Sequence, residues 1–267
     1  MGQKQKKAKM KKLLMAVLAV TGILASCTPK QNAEDHSIEA DIAALDSLNK
    51  YWQTCEELIT DSVVYATYEE YYNYHKSDSL GLELFSDLAY HWDLETLDSK
   101  LAEADTLITN DRFIQRLRIA KVAEAKAGVG SSYIDVKGTN AITGKELAIS
   151  NILADGKPVI VDFWASWCGP CRREINEYLS KYAVQYKDKV NFVGIAVWEN
   201  GVEDTQKAMG ELPISWPVIF AGGRTDSPTE QYGIMGIPHI ILIAPDGTIL
   251  GRDLRGKAIA EAIEAAL

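Results

Sequence analysis

Two periodicities divide the chain. From about Ser37 to Gly128, apolar residues recur at three- and four-residue steps. Ile38, Ile42, Leu45, Leu48, Trp52, Cys55 and Ile59 form one such stripe, the spacing that keeps side chains on one face of a helix. Leu94, Leu97, Leu101, Ala104 and Ile108 repeat it after Asp93, and Phe113, Leu117 and Ala120 after Asn110. Ser37, Asp93 and Asn110 are side chains that accept from the free N–H groups of a first turn. Between these stripes lie a Tyr-rich stretch (Tyr65, Tyr68, Tyr71, Tyr72, Tyr74) and Leu80 to Trp92. The reading is four or five helices in a small acidic bundle, without a convincing 34-residue repeat. Cys55 lies on the apolar stripe and reads as a buried inert thiol, a mixed-disulfide role being the alternative. The tyrosines read as helix–helix packing, with a peptide groove as the alternative. His75 and His91 have no partners at ligand spacing and read as surface or packing residues.

After a Gly/Ser link at 128–132 the period changes. Tyr133–Val136 and Lys145–Ile149 predict a short hairpin around Thr143-Gly144, and Ser150 is placed to cap a short helix ending at Gly156. Strands are predicted over Val159–Trp164, Val190–Val197, Pro217–Phe220, Ile240–Ala244 and Thr248–Gly251. Helices are predicted near Arg172–Tyr186, Val202–Met209, Thr229–Tyr232 and Lys257–Ala266. Asp246-Gly247 is a hairpin turn. The order is parallel βαβ, then an antiparallel hairpin, then a last helix.

The chemistry concentrates in Val159 to Arg172, VIVDFWASWCGPCR. An apolar strand hands over to a helix, and Cys168-Gly169-Pro170-Cys171 falls at the junction. Free N–H groups and the positive end of the helix dipole favour a thiolate there. Pro170 costs little, because the first helical N–H groups have no intrahelical partner. Cys168 is therefore expected to be the exposed nucleophile and Cys171, one turn further in, the buried resolving thiol. Alone, C-x-x-C is also compatible with half of a zinc site. His239 and Cys55 form no second pair, so no metal is expected, and nothing in the pattern calls for a cofactor.

WCGPC preceded by VDFWAS resembles the thioredoxin superfamily. The resemblance implies an α/β thioredoxin fold, a central mixed sheet flanked by helices, with the extra N-terminal hairpin of the TlpA/ResA-like branch. Here a small all-α domain precedes it. It also implies that Pro238, in Gly236-Ile237-Pro238, is cis beside the thiols and exposes the Ile237 backbone to an extended substrate. Asp162, six residues before Cys168, is implied as the proton acceptor for Cys171. Buried in an apolar strand, it should have a raised pKa. A hydrogen-bonded strand-end Asp is the bland alternative. Thioredoxins offer a lysine near this Asp, whereas the next strand here reads Asn191-Phe192-Val193-Gly194-Ile195-Ala196. Glu174 matches a glutamate linked to thiol acid–base behaviour in the ResA-like branch, or is simply a helix-face charge. The branch often has a proline soon after this position, but this chain has Ile175-Asn176. Trp167 is expected to form an apolar lip for substrate. Trp198 and Glu199 shape that surface or pack beneath it, and His239 is a candidate for tuning the thiolate.

The first residues read as targeting rather than fold. Six lysines lie between Lys4 and Lys12, followed by an apolar run from Leu13 to Leu24 and then Leu24-Ala25-Ser26-Cys27. The run of about 12 residues is short of a membrane span of roughly 20. It resembles a bacterial lipoprotein signal ending in Cys27 as the lipidated residue, an ordinary signal being the alternative. The expected layout is a signal over 1–27, a tether over 28–36, a helical domain over 37–128 and a thioredoxin-like domain over 129–267. Without residues 1–27 the chain carries 22 Lys and Arg against 37 Asp and Glu, a net charge of −15. That excess argues against nucleic acid as a partner.

The function implied is a thiol–disulfide oxidoreductase of the cell envelope, lipid-anchored and facing the periplasm. It would reduce protein disulfides and be re-reduced by a membrane-embedded dithiol donor. The alternatives are a disulfide-forming oxidase or isomerase, or an adaptor binding partners through its helical domain.

Overall fold

The computed structural model describes residues 36–54, 61–222 and 227–267. The signal, Cys27, the tether up to residue 35, Cys55 and Ile59 lie outside them. The chain divides into two compact units between Gln115 and Arg116.

The first unit is helical: α1 (Ile38–Thr54), α2 (Asp61–Tyr74), α3 (Ser79–His91), α4 (Leu94–Ala102) and α5 (Thr106–Thr109), with α6 (Arg112–Lys126) running across the division. Asp93 caps α4 by accepting from Thr96 N at 2.7 Å, as its side chain predicts. The extra segment, α5, is a single turn capped by Asp105. Asp111, not Asn110, caps α6, accepting from Phe113 N and Ile114 N. The buried stripe of α6 also differs from the expected one. Ile114 and Leu117 are buried, and Phe113 is exposed. Of the five tyrosines Tyr72 is buried, Tyr65, Tyr68 and Tyr71 are half-buried and Tyr74 is exposed. Tyr72 meets the edge of Phe85 at 5.5 Å, and Tyr65 bonds His91 at 2.8 Å. His75 is a packing residue with a polar purpose. It is buried between Asp41 (2.9 Å) and Asp78 (2.7 Å), and Asp41 also holds His36 at 2.9 Å. Burial disfavours the imidazolium, but the hydrogen bonds to Asp41 and Asp78 outweigh it and raise the His75 pKa.

The second unit follows the thioredoxin fold expected from WCGPC. Its elements are β1 (Lys137–Asn140), β2 (Glu146–Ala148), α7 (Ile149–Leu153), β3 (Val159–Trp164), α8 (Gly169–Glu174), a π-helical turn (Ile175–Leu179) and α9 (Ser180–Gln185). Then come β4 (Asn191–Ala196), α10 (Val202–Glu211), β5 (Val218–Phe220), α11 (Pro228–Tyr232), β6 (His239–Ile243), β7 (Ile249–Gly251) and α12 (Lys257–Ala266). The sheet order is β2-β1-β5-β4-β3-β6-β7. β3 pairs parallel with β4 and antiparallel with β6, so it lies inside the sheet with every residue buried.

The hairpin differs from expectation. Its first strand is Lys137–Asn140, not Tyr133–Val136. Asn140 sets the register, accepting from Ile142 N and Thr143 N and so closing the turn immediately after itself. Ala148, not Ser150, caps α7; Ser150 instead donates through its N and Oγ to Asp135. No proline follows Glu174, yet the helix is interrupted there by the π-helical turn.

Strand alternation sorts β3 between two cores. Val159, Val161 and Phe163 pack with Val193, Ile195, Ile241 and Ile243 on one face. Ile160 and Trp164 pack with Cys168, Cys171, Ile240 and Ile259 on the other. Burying each such side chain contributes roughly 1.5–3 kcal/mol. Asp162 shares the parity of Ile160 and Trp164, so the sheet delivers its carboxylate to the face that holds the cysteines.

The last turns of α6 belong to this unit. Gly233 has φ +67°, and a Cβ there would lie 2.1 Å from the Ala120 carbonyl, so only glycine fits. Arg252 donates to the carbonyls of Ala127 and Tyr232, each at 2.7 Å.

Candidate active site

Where β3 ends, Ala165, Ser166 and Trp167 turn the chain into α8. Cys168 stands as its N-cap, with Pro170 in the first helical turn. Cys168 and Cys171 are joined by a disulfide of 2.02 Å, and Cys171 N donates to the Cys168 sulfur at 3.1 Å. The helix terminus thus directs an N–H at the atom that becomes a thiolate when the bond opens. The expected exposure of Cys168 is corrected. In the disulfide form it is 4% accessible and Cys171 is 0%. The order of access is as expected, but the sulfur lies under the Ile237 segment, 3.8 Å from the Ile237 carbonyl oxygen. The Ile237–Pro238 bond is cis. Ile237 is half-buried and Pro238 buried.

The strand end after β4 braces the turn before the thiols. Glu199 is buried, and its carboxylate accepts from Ser166 N at 2.5 Å and Ser166 Oγ at 2.8 Å. Trp167 donates its indole N–H to the Trp198 carbonyl at 3.1 Å while 57% of the residue stays exposed. Trp198 has φ +57°, a left-handed conformation that is uncommon for a bulky residue. Its own indole N–H donates to Thr229 Oγ1. Arg172 closes the other side, donating to the Ser166 carbonyl and pairing with Glu211 at 2.6 Å. Gly169 offers open space at its Cα.

Asp162 is 2% accessible, and among the described residues neither carboxylate oxygen has a hydrogen-bond partner. Burial pushes its pKa up to about 8. Arg255 opposes the rise and Glu174 adds to it. Glu174 accepts from Gly256 N at 2.5 Å, tying α8 to the start of α12. Arg255 donates to the Pro238 carbonyl and pairs with Asp253 at 2.9 Å. His239 is buried with Nδ1 3.3 Å from Asp253. Burial lowers its pKa against the pull of Asp253, and its ring packs against Phe163 on the face of the sheet away from the cysteines, so it does not adjoin the thiols as a tuning residue would.

The structure therefore gathers Cys168, Cys171, Gly169, Pro170, Trp167, Ile237, Pro238, Asp162 and Glu174 at one end of the sheet. Sequence reasoning missed Arg255 altogether and left the task of Glu199 open. The signal for Arg255 was the vacancy itself: a buried Asp162 with no lysine on the neighbouring strand calls for a cation from elsewhere. Among the described residues no cluster of metal-ligating side chains forms.

A cysteine pair at a helix N-terminus, facing a cis proline on a mixed sheet of this order, defines a dithiol–disulfide site of the thioredoxin class. Comparison with known proteins agrees. The Redoxin family model matches residues 129–265, and the chain belongs to that family. It is 43% identical over 75 residues to a thioredoxin of Alicyclobacillus acidocaldarius, covering 28% of this chain and 66% of that protein. It is 26% identical over 125 residues to the thiol-disulfide oxidoreductase ResA of Bacillus thuringiensis, covering 46% and 68%. Among solved structures, the thioredoxin domain of a thiol-disulfide oxidoreductase from Bacteroides vulgatus is 31% identical, with a TM-score of 0.47, over 52% of this chain and 96% of that one. By its Redoxin match and its likeness to ResA, the second unit is a TlpA/ResA-like member of the thioredoxin superfamily. These matches cover about half of this chain or less, and the chain spans about two thirds of the length of those two curated relatives.

Proposed function

We propose that the protein is a thiol–disulfide oxidoreductase that reduces disulfides of extracytoplasmic proteins through Cys168 and Cys171. The observation that carries this reading is the Cys168 sulfur lying between a helix N-terminus and the Ile237 carbonyl, with Asp162 on the same face of the sheet as Cys171. The reduced enzyme presents the Cys168 thiolate, stabilised by the Cys171 N–H and the helix dipole. It attacks one sulfur of a client disulfide, forming a mixed disulfide and releasing the other client sulfur as a thiolate. Cys171 gives its proton to the Asp162 carboxylate and attacks Cys168. The second client sulfur leaves as a thiolate and the enzyme is oxidised; the client has gained two electrons, and its two thiolates take one proton returned by Asp162 and one from water. Trp167 and the Ile237 backbone hold the extended client chain. A groove of about 530 Å³ beside them, lined by Ile119, Trp198, Ile234 and Met235, extends the apolar surface.

Envelope placement rests on residues 1–27, whose basic start, apolar run and Cys27 form a lipoprotein signal. Among the described residues no helix is long and apolar enough to cross a membrane. In an oxidising compartment the pair needs a source of electrons, and a membrane-embedded dithiol protein is the donor this reading requires. The reducing direction is favoured by the Gly169-Pro170 dipeptide shared with thioredoxin. The test is the equilibrium potential of Cys168/Cys171 against glutathione, with Cys55 replaced by Ser. A value near or below about −250 mV supports a reductant, and one near about −120 to −150 mV replaces it with an oxidase.

A further inference from the structure

We propose that Arg255 is a positioning residue of the dithiol site, holding the Pro238 carbonyl while supplying Asp162 with the positive charge that no lysine provides. This inference rests on the function proposed above. Three contacts place the residue. Its guanidinium donates to the Pro238 carbonyl, one residue from the Ile237 carbonyl that faces Cys168. A second nitrogen donates to the Leu254 carbonyl at 2.8 Å, and Asp253 pairs with the guanidinium at 2.9 Å. The next residue, Gly256, donates to Glu174. One short segment, 253–256, therefore ties the proline loop to the helix that carries both thiols.

The electrostatics follow from the same placement. Asp162 is buried without a hydrogen bond, so its carboxylate depends on distant charges. Two act on it: Arg255 favours the ionised form, and Glu174 disfavours it. Asp253 partly neutralises Arg255, and His239 stays uncharged. Neither strand beside β3 places a charged side chain opposite Asp162, whose neighbours there are Gly194 and Ile240. Arg255 thus controls how readily Asp162 accepts the proton of Cys171. A guanidinium stays charged at any working pH and can bond a carbonyl at the same time.

The test uses the full chain with Cys55 replaced by Ser. Two quantities are followed in wild type, Arg255→Met, Arg255→Lys and Glu174→Gln. One is the titration of the Asp162 carboxyl carbon by NMR in the oxidised protein. The other is the pH–rate profile for reduction of oxidised glutathione by the reduced protein. Arg255→Met should move both midpoints up by about one pH unit. Arg255→Lys, which keeps the charge, should restore them. Glu174→Gln keeps an acceptor for Gly256 N, loses the negative charge and should move both down. Should Arg255→Met fail to fold, Arg255→Gln, which keeps a donor for the Pro238 carbonyl and loses the charge, should show the same rise. An Asp162 midpoint that stays at the wild-type value in a folded variant lacking the Arg255 charge overturns the inference, whatever Glu174→Gln does. A wild type that titrates as expected but cannot reduce the disulfide overturns the proposed function instead, and the two failures are distinguishable.

Discussion

Replacing Asp162 by Asn should stabilise the oxidised protein while impairing it as an enzyme. In the folded state the carboxyl is held near pKa 8 by burial, whereas in the unfolded chain it returns to about 3.8. Between those values the folded state binds the extra proton, so stability falls as pH rises from about 4 to about 8 and levels off beyond. Each pH unit above 3.8 costs about 1.4 kcal/mol, or about 4 kcal/mol at pH 7. The protonated acid has no hydrogen-bond partner, and an amide at the same place has none either, so that cost cancels between the two proteins. Asp162→Asn should therefore gain about 3–4 kcal/mol at pH 7 and almost nothing at pH 4. Guanidinium unfolding of both oxidised proteins at pH 4, 5.5, 7 and 8 measures it. Tryptophan fluorescence reports the second unit through Trp164, Trp167, Trp198 and Trp216. A gain that is equal at all four values, or absent at pH 7, would refute the raised pKa. In the same variant, loss of the base should slow resolution of the mixed disulfide by about 10²–10⁴-fold.

Other expectations can be checked more briefly. His75 has a raised pKa between Asp41 and Asp78, so its contribution is complete below the unfolded value of 6.5 and fades as pH rises through the higher folded one. Thermal unfolding of the helical unit should show that decline from pH 6 to 9, and His75→Gln should flatten it. Glu199→Ala removes both bonds to Ser166 and should cost about 2–4 kcal/mol in denaturant, with Glu199→Gln losing less. Trp167→Ala should weaken binding of a disulfide-containing peptide about tenfold through lost apolar contact, while leaving reactivity with dithiothreitol near wild type. Cys171→Ser should accumulate mixed disulfides with clients that non-reducing gels reveal, and Cys168→Ser should not.

Local pattern was enough for much of this protein. The run from Val159 to Trp164 is a strand because five apolar residues, interrupted only by Asp162, bury on both faces, and α12 occupies Lys257–Ala266 because its apolar residues recur at helical steps. The cysteine pair, its cap position and the aspartate six residues earlier were legible because strand and helix periods are local properties. Caps were less legible where two candidates adjoin, as with Asn110 and Asp111, since either side chain can accept the same N–H groups. The hairpin start was misplaced because Asn140 sets its register through side-chain bonds that hydropathy does not record.

Tertiary structure decided what depends on residues far apart in the chain. Glu199 and Trp198 brace Ser166 and Trp167 only because β3 and β4 run parallel and end side by side. Arg255 reaches the Pro238 carbonyl, and its charge acts on Asp162, only because the segment after β7 folds back beside the proline loop. Charge and hydrogen bonding act through space, so the sequence alone determined which residues carry the dithiol chemistry, and the fold determined which residues tune it.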